Sequence, residues 1–321
     1  MNSAAPPDQA DSALSALSAS SAPPVAAAST DPLPTLLGWV ARHTTPAALD
    51  WLQQQINQIR QSDNDNTLFK ALGMAARKLG KADLALSAQD LAQACLLRPG
   101  FDPSGWSVDL AARVALILAS FNGNAAQFAA RLDRLADSGE INELIALYSG
   151  FALYPLGPEI EPRAREAIRS SMRPIFDAMA LCNPYPMQQF DQAAWNQMIV
   201  KTFFLDSPLW PVQGVVQRAN PDLSRILIDL AHERWAAARP ISPELWRCVA
   251  LHPGPDGLAA LQRVLDTGSE PEQLAVALAL QASHDPACAP LQAQCAANGL
   301  SARASKQGWP QLMQHWAGWA D

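Results

Sequence analysis

The feature that most constrains this fold is the spacing of apolar residues between closely placed prolines and glycines. From Leu33 onward, apolar residues recur three and four positions apart, and the segments that they form end at a proline or a glycine. This spacing is typical of amphipathic helices, whereas the alternation of apolar and polar residues that marks a strand is nearly absent. With 321 residues, 49% of them hydrophobic, the chain can bury a large core. We therefore predict an all-α fold.

The same signals place individual helices. Residues 107–121 are apolar on nearly every side, which predicts a central helix. The last helix is expected to dock through Trp309 and Trp316, with Trp319 close by. Three helices before it are expected to pack in antiparallel succession, which gives an irregular α-α or α-solenoid-like stack of the HEAT or armadillo type. Helices are predicted to begin at Pro46, Asn220 and Ser242. Another is predicted from Asp65 or Asn66 to Leu79. The remaining predicted helices cover residues 87–97, 107–121, 125–136, 141–154, 257–266, 269–282 and 286–296.

The composition changes where the first helix begins. Residues 1–32 are mostly Ala, Ser, Pro and Asp, and they hold too few large apolar groups to offset the entropy lost on ordering. We predict a disordered tail over residues 1–32 and a single helical domain over residues 33–321. If this domain is divided into two lobes, we expect them to meet near residues 155–160. No signal or transit peptide is expected, because the first basic residue is Arg42.

Charge and cysteine content limit the cellular locations and the binding partners that we expect for the protein. A net charge of −7 opposes general binding to nucleic acid or to anionic membranes. The most apolar stretch, residues 110–121, is far shorter than the roughly 20 residues that span a bilayer. Five scattered cysteines fit reduced thiols better than a disulfide framework. These features predict a cytoplasmic protein without a membrane span.

Motifs for metal binding and covalent catalysis are incomplete. His232 and Glu233 begin like a zinc-protease motif, but Ala236 stands where the second zinc-binding histidine is required. A dyad of Cys182 and His232 is allowed by the sequence, although no nucleophile-elbow motif accompanies it. We predict no metal and no cofactor, and an active site built from other polar residues is left open.

Unusual residue choices concentrate in residues 182–249, where Asn220 and Pro221 predict the start of a helix. Arg225 and Asp229 can pair on the solvated face of that helix, which would add little stability. The next turn of that helix nevertheless carries a titratable ring, a carboxylate, a guanidinium and an indole, which belong to residues 232–235 (HERW). They form either structural contacts between helices or a pocket for an acidic metabolite. The polar and aromatic residues predicted to bind a ligand or partner, called the candidate residues below, are Trp195, Asn196, Lys201, Arg218, Asn220, His232, Glu233, Arg234, Trp235, Trp246 and Arg247.

Helical spacing directs Arg234 towards the apolar side of its helix. A buried guanidinium needs a carboxylate or carbonyl partner. If Arg234 is such a buried and paired group, replacing it with alanine is expected to destabilise the fold by more than about 2 kcal/mol.

A second cationic group consists of Arg165, Arg169 and Arg173, spaced four residues apart. Like charges at this spacing disfavour a helix slightly, so a compensating group is expected. Either nearby acids or a bound anion can supply it, and Pro174 either kinks this helix or starts another. The nearby acids are Glu161, Glu166 and Asp177.

Several short motifs of this chain resemble the EboA family of metabolite-traffic proteins, most densely between Phe121 and Leu251. The resemblance implies partners encoded beside such proteins, namely a prenyltransferase, a TatD-type hydrolase, a sugar-phosphate cyclase and a TIM-barrel protein. The motifs are RL at residues 131–132, NPYP at 183–186, WNQM at 195–198 with Lys201, RANP at 218–221, AHERWAA at 231–237 with Arg239, and PELWR at 243–247.

The resemblance implies a non-enzymatic adaptor, or scaffold, in the synthesis and export of a secondary-metabolite precursor. The alternative is a carrier or enzyme that acts on an anionic or prenylated metabolite in a pocket lined by the candidate residues. Convergence of these residues on one cleft would favour the pocket, and dispersal into separate buried pairs would favour the scaffold. A HEAT-like nucleic-acid binder is opposed by the acidic charge balance.

Overall fold

The computed structural model describes residues 31–62 and 64–314, where the regular structure is helical and the β-structure is one isolated bridge between Asp83 and Ser107. This confirms the predicted all-α class. The α-helices are α1 Leu33–Ala41, α2 Pro46–Arg60, α3 Asp65–Leu79, α4 Ala88–Leu97, α5 Val108–Ala119, α6 Ala125–Ser138, α7 Ile141–Ser149, α8 Glu161–Arg169, α9 Arg173–Ala180, α10 Tyr185–Gln189, α11 Gln192–Phe204, α12 Pro221–Ala236, α13 Leu245–Val249, α14 Gly254–Thr267, α15 Glu270–Gln281, α16 Ala289–Ala297 and α17 Leu300–Gln314. Short 3-10 turns follow α7 at Gly150–Ala152 and precede α16 at Pro286–Cys288.

Capping side chains start several helices where the sequence predicts. At α4, the Asp90 N–H donates to the Ser87 hydroxyl at 3.2 Å, and the Ser87 N–H donates to the Asp90 carboxylate at 2.8 Å. Ser269 and Glu272 form the same reciprocal pair at α15. At α12, the Asn220 side chain accepts a backbone N–H at 3.0 Å. Each contact satisfies donors that the first helical turn leaves unpaired.

Helix α5 lies at the centre of the N-terminal part. Every residue of α5 except Leu110 is buried, and the helix packs against α1, α2, α3 and α7. Its buried Arg113 pairs with Asp109 one turn earlier and donates to the Leu72 carbonyl at 3.1 Å. The all-round apolar pattern therefore predicted the central position correctly.

Residues 205–220 connect α11 to α12 without a helix, yet they are well packed. Leu209, Val212 and Val215 are buried. Gly214 has a φ of +85°, and a Cβ at this position would lie 2.5 Å from Met187. The connection is thus fixed in place, and it sets the position of the arginine that precedes α12.

The C-terminal helices follow the predicted order with small differences in their bounds. Helix α14 begins three residues before the predicted Gly257, and the segment predicted as 286–296 divides into a 3-10 turn and α16. Helix α15 packs against α14, α16 and α17. Helix α17 kinks at Gly308, which has a φ of +67°, so the half-buried Trp309 follows the kink. Trp316 and Trp319 lie outside the described residues.

Three predicted helices end or begin differently. Arg165, Arg169 and Arg173 do not share one helix, because α8 ends at Arg169 and Pro174 lies in the first turn of α9. The predicted helix 141–154 ends as an α-helix at Ser149 and continues as a 3-10 turn. The helix expected from Ser242 is the short α13, which starts at Leu245.

Most of the predicted tail, residues 1–32, lies outside the described residues, and its disorder stays a prediction. The helices from Asp31 onward pack into one compact unit. The division into two lobes near residues 155–160 stays a prediction as well. No helix of the described part is both long and apolar enough to cross a membrane.

Candidate functional site

Arg218 binds the C-terminal end of α10. Its guanidinium donates to the carbonyl oxygens of Phe190 at 2.7 Å and of Pro186 and Met187 at 3.2 Å each. The same group lies over the Trp195 ring, 4.9 Å from the ring centre. Burial lowers the pKa of Arg218, but an arginine remains charged at neutral pH. Arg218 therefore connects the segment before α12 to α10 and α11.

Asn196 and Asn220 join α11 to α12 through their side-chain amides. Asn220 donates to the Asn196 oxygen at 2.9 Å, and Asn196 donates to the Asn220 oxygen at 3.2 Å. Since Asn220 also caps α12, its amide oxygen accepts from both a side chain and the backbone. Both residues are half-buried. The pair sets the position at which α12 starts against α11.

Lys201 and Arg234 bind the ends of neighbouring helices. The Lys201 ammonium donates to the Arg169 carbonyl at the end of α8, at 2.6 Å. Arg234 donates to the carbonyls of Phe203 at 3.0 Å, near the end of α11, and Pro240 at 3.3 Å. Cations at helix C-termini satisfy free carbonyls and interact favourably with the helix dipole. Burial lowers the pKa of Lys201.

Replacing Arg234 with alanine is expected to lower the free energy of unfolding by about 1 to 2 kcal/mol. This is less than the value expected for a fully buried pair, because Arg234 is half-buried and its partners are carbonyls. Chemical denaturation measures the difference. Replacing the neighbouring exposed Glu233 with alanine is the control and should change stability by less than about 0.5 kcal/mol. Equal effects of the two variants would contradict the capping role of Arg234.

The aromatic candidate residues form a stack between α12 and α13. Trp235 stacks on the buried Trp246, with ring centres 5.7 Å apart and ring planes inclined by 26°. The His232 ring packs edge-on against Trp235 at 5.5 Å, and Arg263 of α14 covers Trp235 at 4.1 Å. Arg263 is far from the motif in sequence, so no local pattern could have identified it. The stack holds three helices together, and Glu233 beside it is exposed.

Glu244, immediately before α13, is a buried acid that was not among the candidate residues. Its side chain is 0% exposed, and one oxygen accepts the Leu209 N–H at 2.7 Å. The other oxygen has no hydrogen-bond partner in the part of the chain that the structure describes. Burial raises the pKa of Glu244 to about 7. An acid within the apolar run after Ser242 is the sequence signal that could have identified it.

Arg247 contacts the same connection as Glu244. Its guanidinium lies 3.5 Å from the Leu209 carbonyl and 5.8 Å from the centre of the Trp309 ring. Burial lowers the pKa of Arg247. Glu244 and Arg247 thus bind the N–H and the carbonyl of the same residue, Leu209, and hold residues 205–220 against α13.

Cys182 and Cys248, the two cysteines within residues 182–249, are poor nucleophiles. Burial raises the pKa of Cys182 to about 11 and of Cys248 to about 12, so both are protonated at neutral pH. The His232 ring packs against Trp235. All five cysteines are free. These environments do not provide the thiolate that nucleophilic catalysis requires.

The three arginines of α8 and α9 are paired with acids of the chain. Their contacts are salt bridges at the surface, where each contributes little to stability. The compensating charge is therefore supplied by the protein itself. The pairs are Arg165 with Glu161 and Asp191, Arg169 with Glu166, and Arg173 with Asp177.

Within residues 31–62 and 64–314, the contacts of the candidate residues are spread over several parts of the fold. Arg234 lines a small cavity of about 30 Å³, together with Thr202 and Asp206. In the described part of the chain, larger open cavities of about 300, 340 and 390 Å³ are lined by none of the candidate residues. These side chains divide into the contacts of Arg218 and of Arg247, the asparagine pair, the two helix caps and the tryptophan stack, while Glu233 is exposed.

Residues 33–250 match the model of one protein family, described as metabolite traffic protein EboA. The match extends the resemblance well beyond the motif-rich region, back to the first helix. Neither a curated protein nor a solved structure matches the chain. Because the family match covers more than half of the chain, the protein belongs to the EboA family.

Proposed function

We propose that this protein is a non-enzymatic helical adaptor in a metabolite-traffic system. Family membership supports the metabolite-traffic role. The adaptor role is supported by one observation, the use of the cationic candidate residues inside the fold. Arg218, Lys201 and Arg234 donate to backbone carbonyls of other segments rather than pointing into a common cavity. Groups used in this way build a rigid framework, and they are not free to bind a substrate.

The proposed partners are enzymes that handle the precursor, namely a prenyltransferase, a TatD-type hydrolase, a sugar-phosphate cyclase and a TIM-barrel protein. The proposed location is the cytoplasm, which the five free cysteines support. Cell fractionation tests the location, and recovery of the protein outside the cytoplasmic fraction would contradict it.

The proposed helical arrangement is HEAT-like in the C-terminal region. Its support is the consecutive packing of α14 on α15 and of α16 on α17, with α15 also packed on α17. Stacked helix pairs provide long surfaces suited to holding partners. An experimental structure in which these two pairs fail to superpose as a repeat would contradict this arrangement.

Native mass spectrometry of the tagged protein, purified from its own cells, tests the adaptor role. We expect a stoichiometric complex with an enzyme. Recovery of a bound metabolite without any protein partner would contradict the proposal and support a carrier. The measurement records proteins and small molecules together, so both outcomes are visible in one experiment.

Two variants make this experiment sharper. Trp210 is 42% exposed on the connection held by Glu244, whereas Leu96 is 82% exposed on α4. Replacing each with serine removes one exposed apolar group and leaves the core intact. If the partner binds through the motif-rich region, the complex should be lost with Trp210→Ser and retained with Leu96→Ser. The reverse result would place the contact on the N-terminal helices.

A further inference from the structure

An open cavity of about 300 Å³ lies where the connection between α11 and α12 meets the end of α17. Its walls come from three segments that are far apart in sequence, namely the first turn of α9, residues 208–210 and residues 310–314. None of the candidate residues is in this lining. The lining residues are Arg173, Pro208, Trp210, Pro310, Met313 and Gln314.

Two of the three walls are held by α13. The Arg247 guanidinium lies 3.5 Å from the carbonyl of Leu209, which stands between the two lining residues of the connection. The same guanidinium lies 5.8 Å from the centre of the Trp309 ring, which immediately precedes the lining part of α17. Glu244 also accepts the Leu209 N–H at 2.7 Å. Since both walls are tied to the same short helix, the cavity has a defined shape.

Most of the lining is apolar. Trp210 is 42% exposed, although tryptophan side chains are on average highly buried. Two proline rings and the Met313 thioether lie with it in the lining. Aromatic rings pack favourably on other aromatic rings and on thioethers. The lining therefore favours an aromatic side chain as its occupant.

The chain itself supplies aromatic side chains next to this cavity. Gln314, where the described part ends, belongs to the lining, and residues 315–321 that follow it read HWAGWAD. Trp316 is two residues beyond Gln314. Because a chain spans at most about 3.6 Å per residue, the two Cα atoms lie within about 7 Å of each other. The Trp316 indole is therefore within reach of the cavity.

Helical spacing favours Trp316 over Trp319. Met313 and Trp316 are three positions apart, a spacing that brings side chains together on one face of a helix. Trp319 is six positions from Met313, which places it on a different side. Arg173 also lines the cavity, and a guanidinium over the face of an indole is a favourable contact.

We propose that residues 315–321 pack on this cavity and that Trp316 contacts Trp210 and Met313 there. Because the segment belongs to the same chain, its effective concentration at the cavity is high. A regulatory consequence follows, and it rests on the proposed adaptor role with Trp210 in the partner contact. A partner that binds Trp210 has to displace the segment, which acts as an internal competitor.

Fluorine NMR of the full chain labelled with 5-fluorotryptophan tests the contact. The Trp210 resonance is identified as the signal that Trp210→Phe removes. We expect this resonance to shift in Trp316→Ser, because an adjacent indole ring changes the magnetic field at a nearby fluorine. The matched control is Trp319→Ser, which removes the other indole of the segment and should leave the Trp210 resonance in place. A Trp210 resonance that stays in place in Trp316→Ser, or equal shifts in the two variants, would overturn the proposal.

Native mass spectrometry of the same variants, purified from their own cells, tests the competition separately. The enzyme partner should bind Trp316→Ser about twofold to tenfold more tightly than the wild type, as expected for the loss of one aromatic contact that opposes binding. Trp319→Ser should bind like the wild type. Equal binding to Trp316→Ser and the wild type would contradict the competition. A shifted Trp210 resonance in a protein that recovers no enzyme would support the contact and contradict the adaptor role.

Discussion

Replacing Arg218 with alanine is expected to lower the free energy of unfolding by about 3 kcal/mol. The variant removes the guanidinium that donates to the carbonyls of Pro186, Met187 and Phe190 and that covers Trp195. Hydrogen bonds to a charged group contribute about 1.5 to 3 kcal/mol, and a cation over an indole adds up to about 1 kcal/mol. Urea denaturation followed by tryptophan fluorescence measures the loss.

Two variants identify the cause of this loss. Arg218→Lys keeps the charge but not the planar fork that reaches several carbonyls, so it should lose about half as much stability. Arg225→Ala is the control, because the Arg225 side chain is 68% exposed on the adjacent helix. It should change stability by less than about 0.5 kcal/mol. If Arg218→Ala is as silent as this control, the guanidinium does not hold α10 and α11 in place.

Helix starts could be predicted because the signals that cause them are local. Asn220 with Pro221, and Ser269 with Glu272, satisfy N–H groups within three residues of themselves, so the sequence alone contains the contact. The apolar periodicity of α5 likewise depends only on its own residues. These parts of the fold required no knowledge of distant segments.

The break between α8 and α9 was also caused locally, but two local effects compete there. The spacing of the arginines favours continuation, whereas Pro174 lacks an N–H and its ring would clash with the carbonyl of Ser170. The clash is the larger effect, costing about 3 kcal/mol or more, against a few tenths for side-chain pairs. Comparing these magnitudes would have placed the break before Arg173 from sequence.

The partners of the candidate residues could not be predicted, because packing between distant segments decides them. Arg218 reaches a carbonyl 28 residues away, and Glu244 reaches an N–H 35 residues away. Arginines and tryptophans in an apolar region are as suitable for a ligand pocket as for joining helices. The sequence therefore marked these residues as unusual, but it could not distinguish a binding role from a structural one.

The internal contacts nevertheless suggest what the EboA motif does. Arg218 binds backbone carbonyls at the C-terminal end of α10, whereas Glu244 and Arg247 bind backbone atoms of Leu209 in the connection between α11 and α12, on which Trp210 is exposed. A motif that fixes irregular backbone keeps a surface in one shape. Under the proposed adaptor role, such a surface would lose less entropy on binding a partner.

Glu244 is expected to make the folded protein less stable as the pH rises from about 5 to about 8. Burial raises its pKa from 4.5 to about 7, although the Leu209 N–H and Arg247 partly oppose the shift. The folded chain therefore holds this proton more tightly than the unfolded chain. The stability that this proton contributes is complete below pH 4.5 and is lost as the pH rises through about 7. The loss amounts to about 3 kcal/mol when Glu244 is fully ionised in both states.

Urea denaturation of the wild type and of Glu244→Gln, at about pH 5 and at about pH 8, separates the contribution of the Glu244 carboxyl group from that of the other titrating groups. The glutamine oxygen can still accept the Leu209 N–H, so the connection keeps its hydrogen bond. From about pH 5 to about pH 8, the wild type should lose about 2.5 kcal/mol more stability than Glu244→Gln. Glu233→Gln changes an exposed glutamate on α12 and should retain the wild-type dependence. If Glu244→Gln follows the same pH profile as the wild type, the buried carboxyl group is not the source of the pH dependence, and water reaches it in the folded state.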